Sequence, residues 1–288
     1  MRNVFVYLSV LASLLLGAVC PGWSAPKAQN ISLSTRDGWA LSAVYLPASS
    51  RQKTVILLHD LNKDKSAFSA LRDDLSKSGF GYLALDLRGH GQSTNKGVAR
   101  AFAREGVDNE FNKMTQDVQT AVSFLERKGI SASDIIILGA GLGANVAAKS
   151  AVLTGVGAVG LISPAANVRD VLVIPSMRLY KDDVLIAAGA ADKKSFLEAS
   201  VIRNVAFLTA GEGKVTFLTA YDLTSHEMLD KYLRSQVIQW LKTTHRPDVL
   251  PDGPALATPV AEEPTDLSGV AVAPSATEEA LVPSLGGF

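Results

Sequence analysis

The sequence predicts an α/β protein whose mostly parallel sheet is covered by helices on both faces. The main observation is the alternation, from residue 54 to residue 242, of short continuous apolar runs with segments of helical spacing. A second is the composition: the 288 residues are 47% hydrophobic and 19% charged. This supplies a core and excludes a disordered or collagen-like chain. We expect one folded domain, spanning residues 25–246.

Two kinds of strand are distinguished by their patterns. The first two alternate apolar and polar residues around Asp37-Gly38, which is typical of a hairpin. The later ones are apolar throughout, as expected for parallel strands buried on both faces. The expected strands are 31–34, 40–45, 54–59, 82–86, 134–139, 158–162, 183–188 and 215–218. The expected helices are 67–78, 115–128, 142–154, 194–209 and 228–242.

The first 24 residues have the composition of a secretory signal peptide. Arg2 precedes about 16 mostly apolar residues, which is short for a membrane-spanning helix. We therefore expect an exported protein, periplasmic or secreted, with no membrane span in its mature form. A lipid anchor at Cys20 and an uncleaved N-terminal anchor are the alternatives. Because Cys20 is the only cysteine, a disulfide or a cysteine-ligated zinc site within one chain is excluded.

Charge is distributed unevenly along the chain. Residues 247–288 hold seven acids, no base and seven of the 12 prolines, a composition typical of a disordered acidic tail rich in Pro and Ala. Residues 25–246 hold 27 bases and 21 acids, a net charge of +6. This excess is too small to indicate nucleic-acid binding.

Two motifs carry a resemblance to a known family. Asp86-Leu-Arg-Gly-His-Gly-Gln-Ser93 follows one strand, and Gly139-Ala-Gly-Leu-Gly143 joins a strand to a helix. Over residues 29–242 the chain resembles the α/β-hydrolase superfamily, most closely its branch of serine-aminopeptidase-like and monoacylglycerol-lipase-like esterases. The resemblance implies the α/β-hydrolase fold. Only about 20 residues separate Ser163 from Asp183, so the cap that lipases insert there is minimal.

The resemblance also implies a catalytic triad in the order nucleophile, acid, histidine. Its positions here are Gly141, Asp192 and His226. The serine of the family's G-x-S-x-G elbow is thus replaced by glycine, which has no side chain to attack a carbonyl. Loss of a triad nucleophile lowers turnover by about 10⁶-fold in a well-studied protease, or roughly 8–9 kcal/mol of barrier. Glycine also relieves the backbone strain of the elbow.

A second departure lies in the predicted oxyanion loop. By resemblance, the backbone N–H groups of Leu61 and Leu142 form the oxyanion hole. Relatives commonly have His-Gly after this strand, whereas this chain has His59-Asp60. The Asp60 carboxylate either points inward, where it disfavours a bound anion, or points to solvent; the sequence leaves both open. His59 and His90 lie inside family motifs and are interpreted as structural.

Two alternative interpretations remain for individual motifs. Gly139-x-Gly141-x-x-Ala144 also fits the dinucleotide-binding fingerprint. That fingerprint requires an acid at the end of the next strand, and this strand ends in Ser163-Pro164. We expect no cofactor and no metal. Asp192 also fits a helix N-cap, because an apolar-periodic run follows it.

Three classes of function compete. The first is a hydrolase-like protein that has lost serine hydrolysis and binds a small molecule or a partner. The second is an enzyme. It is either an esterase- or peptidase-like hydrolase of an acyl-type substrate that uses a different nucleophile, for which Ser163 is the candidate, or an enzyme in which a His226–Asp192 dyad acts as general base on water or on an acidic C–H. The third is an envelope scaffold whose tail makes the contacts.

Overall fold

The computed structural model describes residues 26–49, 52–223, 228 and 232–244. Ten strands form in this part of the chain: β1 (Gln29–Ser34), β2 (Ala40–Leu46), β3 (Thr54–Leu58), β4 (Gly81–Leu85), β5 (Ile135–Ala140), β6 (Ala158–Ile162), β7 (Asn167–Val168), β8 (Val171–Leu172), β9 (Asp183–Gly189) and β10 (Val215–Ala220). The helices are α1 (Ser69–Lys77), α2 (Glu110–Arg127), α3 (Leu142–Thr154), α4 (Ile174–Met177), α5 (Lys193–Ala210) and α6 (Arg234–Thr243). The predicted signal with Cys20, and the predicted tail 247–288, lie outside the described residues.

Eight of these strands form one sheet in the order β1-β2-β4-β3-β5-β6-β9-β10. The β1–β2 and β2–β4 pairs are antiparallel, and every later pair is parallel. Strands β3, β4 and β6 are buried at every position, because a parallel sheet is covered on both faces. The predicted fold class is confirmed.

The two faces of the sheet bury separate apolar clusters. On one face lie α2, α3 and α5, represented by Met114, Val146 and Ile202. On the other lie α1 and α6, represented by Leu75 and Trp240. Burial of this apolar surface is the main stabilising contribution of each helix.

The structure differs from the predicted elements at several element ends and in one connection. Helix α2 begins at Glu110, five residues before the predicted start, because the Asn109 side chain accepts a hydrogen bond from Asn112 N at 2.8 Å. The segment between β6 and β9 holds the short hairpin β7–β8 and helix α4, which the sequence analysis did not predict. Among the described residues, no helix is long and apolar enough to cross a membrane.

The motif after β4 shapes a loop at the carboxyl edge of the sheet. The Arg88 side chain is fully buried and donates to Asp117 at 2.7 and 2.9 Å, to Asp37 at 2.7 Å and to Glu110 at 2.9 Å. These bonds tie the loop to the β1–β2 turn and to α2. Charge-assisted bonds of this kind hold the loop in one geometry.

Candidate functional site

The predicted nucleophile position lies at a sharp turn between β5 and α3. Gly141 has φ 52° and ψ −118°, a conformation that favours glycine. Its N–H donates to Ile162 O at 2.9 Å. Helix α3 starts so close to β3 that a β-carbon at Gly143 would lie 2.6 Å from His59 O. The turn therefore presents residue 141 at the carboxyl edge of the sheet.

Asp60 is exposed, yet its carboxylate turns toward the elbow and accepts from both N–H groups of the predicted oxyanion hole. Its Oδ1 accepts from Leu61 N at 2.7 Å and from Leu142 N at 2.8 Å. Both are charge-assisted bonds, and the N-terminal end of α3 adds a favourable dipole. The structure thus brings Leu61 and Leu142 together on one oxygen atom, and that oxygen belongs to the chain itself.

Gly141 and Asp60 are sterically complementary. A β-carbon on Gly141 would lie 2.5 Å from Asp60 Oδ2, and closer still to Cγ and Oδ1. Any side chain at position 141 would therefore displace the carboxylate. Gly141 and Asp60 therefore form one arrangement, in which the absence of a β-carbon at position 141 leaves room for the carboxylate.

The His59 ring connects the backbone of Asp60 to that of Leu87. Its Nδ1 lies 2.8 Å from Asp60 O, and its Nε2 accepts from Leu87 N at 3.1 Å, so the proton is assigned to Nδ1. Burial lowers the pKa of His59 to about 4. The neutral ring links the ends of β3 and β4. The His90 ring lies 5.0 Å from it, with Nδ1 at 3.0 Å from Arg88 O.

The remaining candidate catalytic residues are Asp192, His226 and Ser163. Asp192 is exposed, and its carboxylate caps α5 by accepting from Ser195 N at 3.2 Å. This is the alternative that the sequence analysis left open. His226 lies outside the described residues, so the triad assignment stays a prediction. Ser163 follows β6 with φ 51°, and its Oγ lies 3.4 Å from Ser195 Oγ.

A cavity of about 160 Å³ adjoins the Asp60 loop, and the sequence analysis missed it. Three of its lining residues are arginines. No motif revealed them, because they come from segments that only the fold brings together. The lining consists of Leu61, Asn62, Ala99, Arg100, Phe102, Arg104, Phe111 and Arg169.

The geometry also bears on cofactor chemistry. A dinucleotide would place its pyrophosphate on the first N–H groups of α3. Leu142 N is already bonded to the Asp60 carboxylate, whose charge would repel a phosphate. Within the described ranges, no group of three or more His, Cys, Asp or Glu side chains is arranged to hold a metal ion.

Comparison with known proteins agrees with this architecture. The family model described as serine aminopeptidase, S33, matches residues 49–228. Esterase Pf2001 from Pyrococcus furiosus superposes with a TM-score of 0.62 and 17% identity, covering 76% of this chain and 93% of its own. The esterase EaEST from Exiguobacterium antarcticum gives a TM-score of 0.61 and 14% identity, covering 75% of this chain and 100% of its own.

The acetyl xylan esterase from Paenibacillus sp. R4 gives a TM-score of 0.60 and 13% identity, covering 78% of this chain and 86% of its own. Among curated proteins, none matches this sequence. At such identities the structural likeness establishes the fold alone, and activity has to be argued from the site.

Proposed function

The chain belongs to the serine aminopeptidase (S33) family of the α/β-hydrolase superfamily, and from that premise we propose that it has lost serine hydrolysis and binds a small molecule or a protein partner. A serine hydrolase needs a nucleophile at the elbow and free N–H donors aimed at the developing oxyanion. In this chain the elbow position is Gly141, and both predicted donors are engaged by Asp60.

The occupied oxyanion hole is the observation that carries the proposal. A substrate carbonyl would have to displace a carboxylate that is tethered beside the two N–H groups and already bonded to both. The developing oxyanion would also meet the negative charge of Asp60, which disfavours it in the same place where active enzymes stabilise it.

The magnitudes support a complete loss of serine chemistry. Removal of one oxyanion-hole donor lowers turnover by about 10²–10³-fold, and removal of the nucleophile by about 10⁶-fold. These losses do not add, because the groups act as a unit. Loss of the nucleophile, the larger of the two effects, is enough to remove most of the rate enhancement of a serine hydrolase.

Ser163 supports one enzymatic alternative. It ends β6 next to the elbow, and its φ of 51° is rare for a residue with a side chain. Strained residues cluster at functional sites, so Ser163 is the candidate for a relocated nucleophile. The exposed, helix-capping position of Asp192 gives no comparable support to a His226–Asp192 base dyad.

The test is hydrolysis of a short-chain nitrophenyl ester by the full chain, beside its Ser163→Ala and His226→Ala variants. We expect the natural protein to match the buffer rate. The proposal would be refuted by turnover that either substitution abolishes. Loss in Ser163→Ala would identify the relocated nucleophile, and loss in His226→Ala a surviving base.

Export is a separate part of the proposal. The apolar segment after Arg2 supports a cleaved signal and a periplasmic or secreted location. Mass spectrometry of the protein purified from cell fractions would identify the mature N-terminus. A lipid-modified Cys20 would establish the anchor instead, and an intact N-terminus in the cytoplasmic fraction would contradict export.

A further inference from the structure

Three arginines at the cavity beside Asp60 have no acidic partner. Arg100, Arg104 and Arg169 line it, no carboxylate does, and none of the three pairs with an acid among the described residues. Arg88 in the same domain differs, because its guanidinium forms ion pairs with three carboxylates. Uncompensated positive charge around a concave surface attracts anions.

The floor of the cavity is aromatic. The rings of Phe102 and Phe111 meet edge to face with centroids 5.5 Å apart. The Arg169 guanidinium lies 5.9 Å from the centroid of Phe111. A cavity with apolar rings below and guanidinium groups at its rim suits a compact apolar body that carries acid groups.

The hairpin that carries Arg169 is closed by a tight two-residue turn. Arg169 and Asp170, the two residues between β7 and β8, have φ of 54° and 63°, the conformation that such a hairpin turn requires. Three bonds anchor this turn to the loop before α2 and to its first turn: Asn109 Nδ2 to Arg169 O at 2.9 Å, Asn112 Nδ2 to Asp170 O at 3.1 Å, and Gly106 N to Asp170 Oδ2 at 2.6 Å.

These bonds position Arg169 before any ligand arrives, which reduces the entropy that binding costs. The hairpin therefore presents Arg169 to the cavity from a fixed backbone.

The volume of the cavity limits the size of the ligand. Its volume of about 160 Å³ is below the roughly 300–1,000 Å³ typical of pockets for drug-sized ligands. Leu61 lines the cavity and also donates its N–H to Asp60, so the cavity adjoins the blocked oxyanion hole. Since that hole accepts no further anion, the arginines supply the anion-binding groups.

We propose that this cavity binds a small organic acid with two carboxylates on a compact apolar body, held by Arg100, Arg104 and Arg169 over Phe102 and Phe111. This inference rests on the proposed binding function and names its ligand class. Each guanidinium offers a planar pair of N–H donors that matches a carboxylate, and more than one acid group is needed to neutralise three of them.

The test is calorimetric titration of the full chain with phthalate, and with its uncharged dimethyl ester as the control ligand. The main variant is R100Q/R104Q, because both side chains are exposed and their loss leaves the core intact. R169Q is the second variant. The matched control is R127Q/R178Q, which removes two exposed arginines that do not line the cavity.

We expect phthalate to bind, the ester not to bind, and R100Q/R104Q to weaken phthalate binding by about tenfold or more while R127Q/R178Q leaves it unchanged. Equal affinity in the natural protein and R100Q/R104Q would overturn the inference, and so would absence of binding. Failure of this ligand assignment can be distinguished from failure of the proposed function. Ester turnover that Ser163→Ala or His226→Ala abolishes refutes the proposed function, whereas absent phthalate binding without such turnover refutes the ligand class alone.

Discussion

The Asp60–Gly141 contact predicts a specific non-additivity in stability. Gly141→Ala adds a β-carbon within 2.5 Å of the Asp60 carboxylate. The carboxylate must leave, and its bonds to Leu61 N and Leu142 N are lost. Asp60→Ala removes the same two bonds. The double variant therefore loses them once, while the sum of the single variants counts them twice.

The expected size follows from the bonds themselves. Hydrogen bonds to a charged group contribute roughly 1.5–3 kcal/mol each, and the exposure of Asp60 reduces this through solvent screening. We take about 1–3 kcal/mol for the pair. Gly141→Ala also introduces about 1–3 kcal/mol of backbone strain at φ 52°, which cancels in the cycle.

The assay is urea unfolding of the natural protein, both single variants and the double variant. We expect the double variant to be more stable than the sum of the single effects by about 1–3 kcal/mol. Asp182→Ala combined with Gly141→Ala is the control. Asp182 precedes β9, at the opposite edge of the sheet from the elbow, so this cycle should be additive within about 0.5 kcal/mol. If the Asp60–Gly141 cycle were as additive as the Asp182–Gly141 control, the contact between Asp60 and residue 141 would be refuted.

Three further predictions concern the surrounding structure. Asp192→Ala should lower the free energy of unfolding by about 0.5–2 kcal/mol through loss of the α5 cap; an unchanged urea midpoint would contradict that role. Arg88→Met should cost about 3–5 kcal/mol, because it leaves the buried Asp117 without its partner; thermal unfolding measures this, and a loss below about 1 kcal/mol would show the network to be dispensable. The lowered pKa of His59, about 4 against 6.5 in the unfolded chain, means that the unfolded chain binds more protons between these values. Stability should therefore fall by about 3 kcal/mol from this group as pH drops through that window. Burial raises the pKa of Asp117 to about 6, and this group makes stability rise as the pH drops. The measurement therefore compares the natural protein with His59→Gln. The plot of unfolding free energy against pH should lack the His59 contribution in that variant.

Placing a serine at the elbow position also has a defined expectation in this structure. Gly141→Ser alone should regain far less ester hydrolysis than the double variant below, because the displaced Asp60 carboxylate stays tethered beside the elbow, where its negative charge disfavours the oxyanion. Asp60→Gly combined with Gly141→Ser removes that obstacle and frees both N–H groups. Turnover by the single variant at the rate of the double variant would show that Asp60 does not block the hole.

Local patterns in the sequence determined the fold. Continuous apolar runs such as 54–58 and 135–138 are buried on both faces, so their pattern alone predicts a parallel sheet. The glycines of the elbow predict a close strand–helix turn, and Gly141 puts a residue without a side chain where the family resemblance implies a serine nucleophile. These features depend on neighbours in the chain, which is why they are visible without a structure.

Tertiary structure alone decided the state of the site. The direction of the Asp60 carboxylate depends on Leu142 N, a donor 82 residues away in sequence. The arginine cavity combines residues near positions 61, 100 and 169, and its hairpin is held by bonds that span about 60 residues. The position of a side chain depends on donors and charges from several segments that the fold brings together. The order of those segments in the sequence does not show which of them meet.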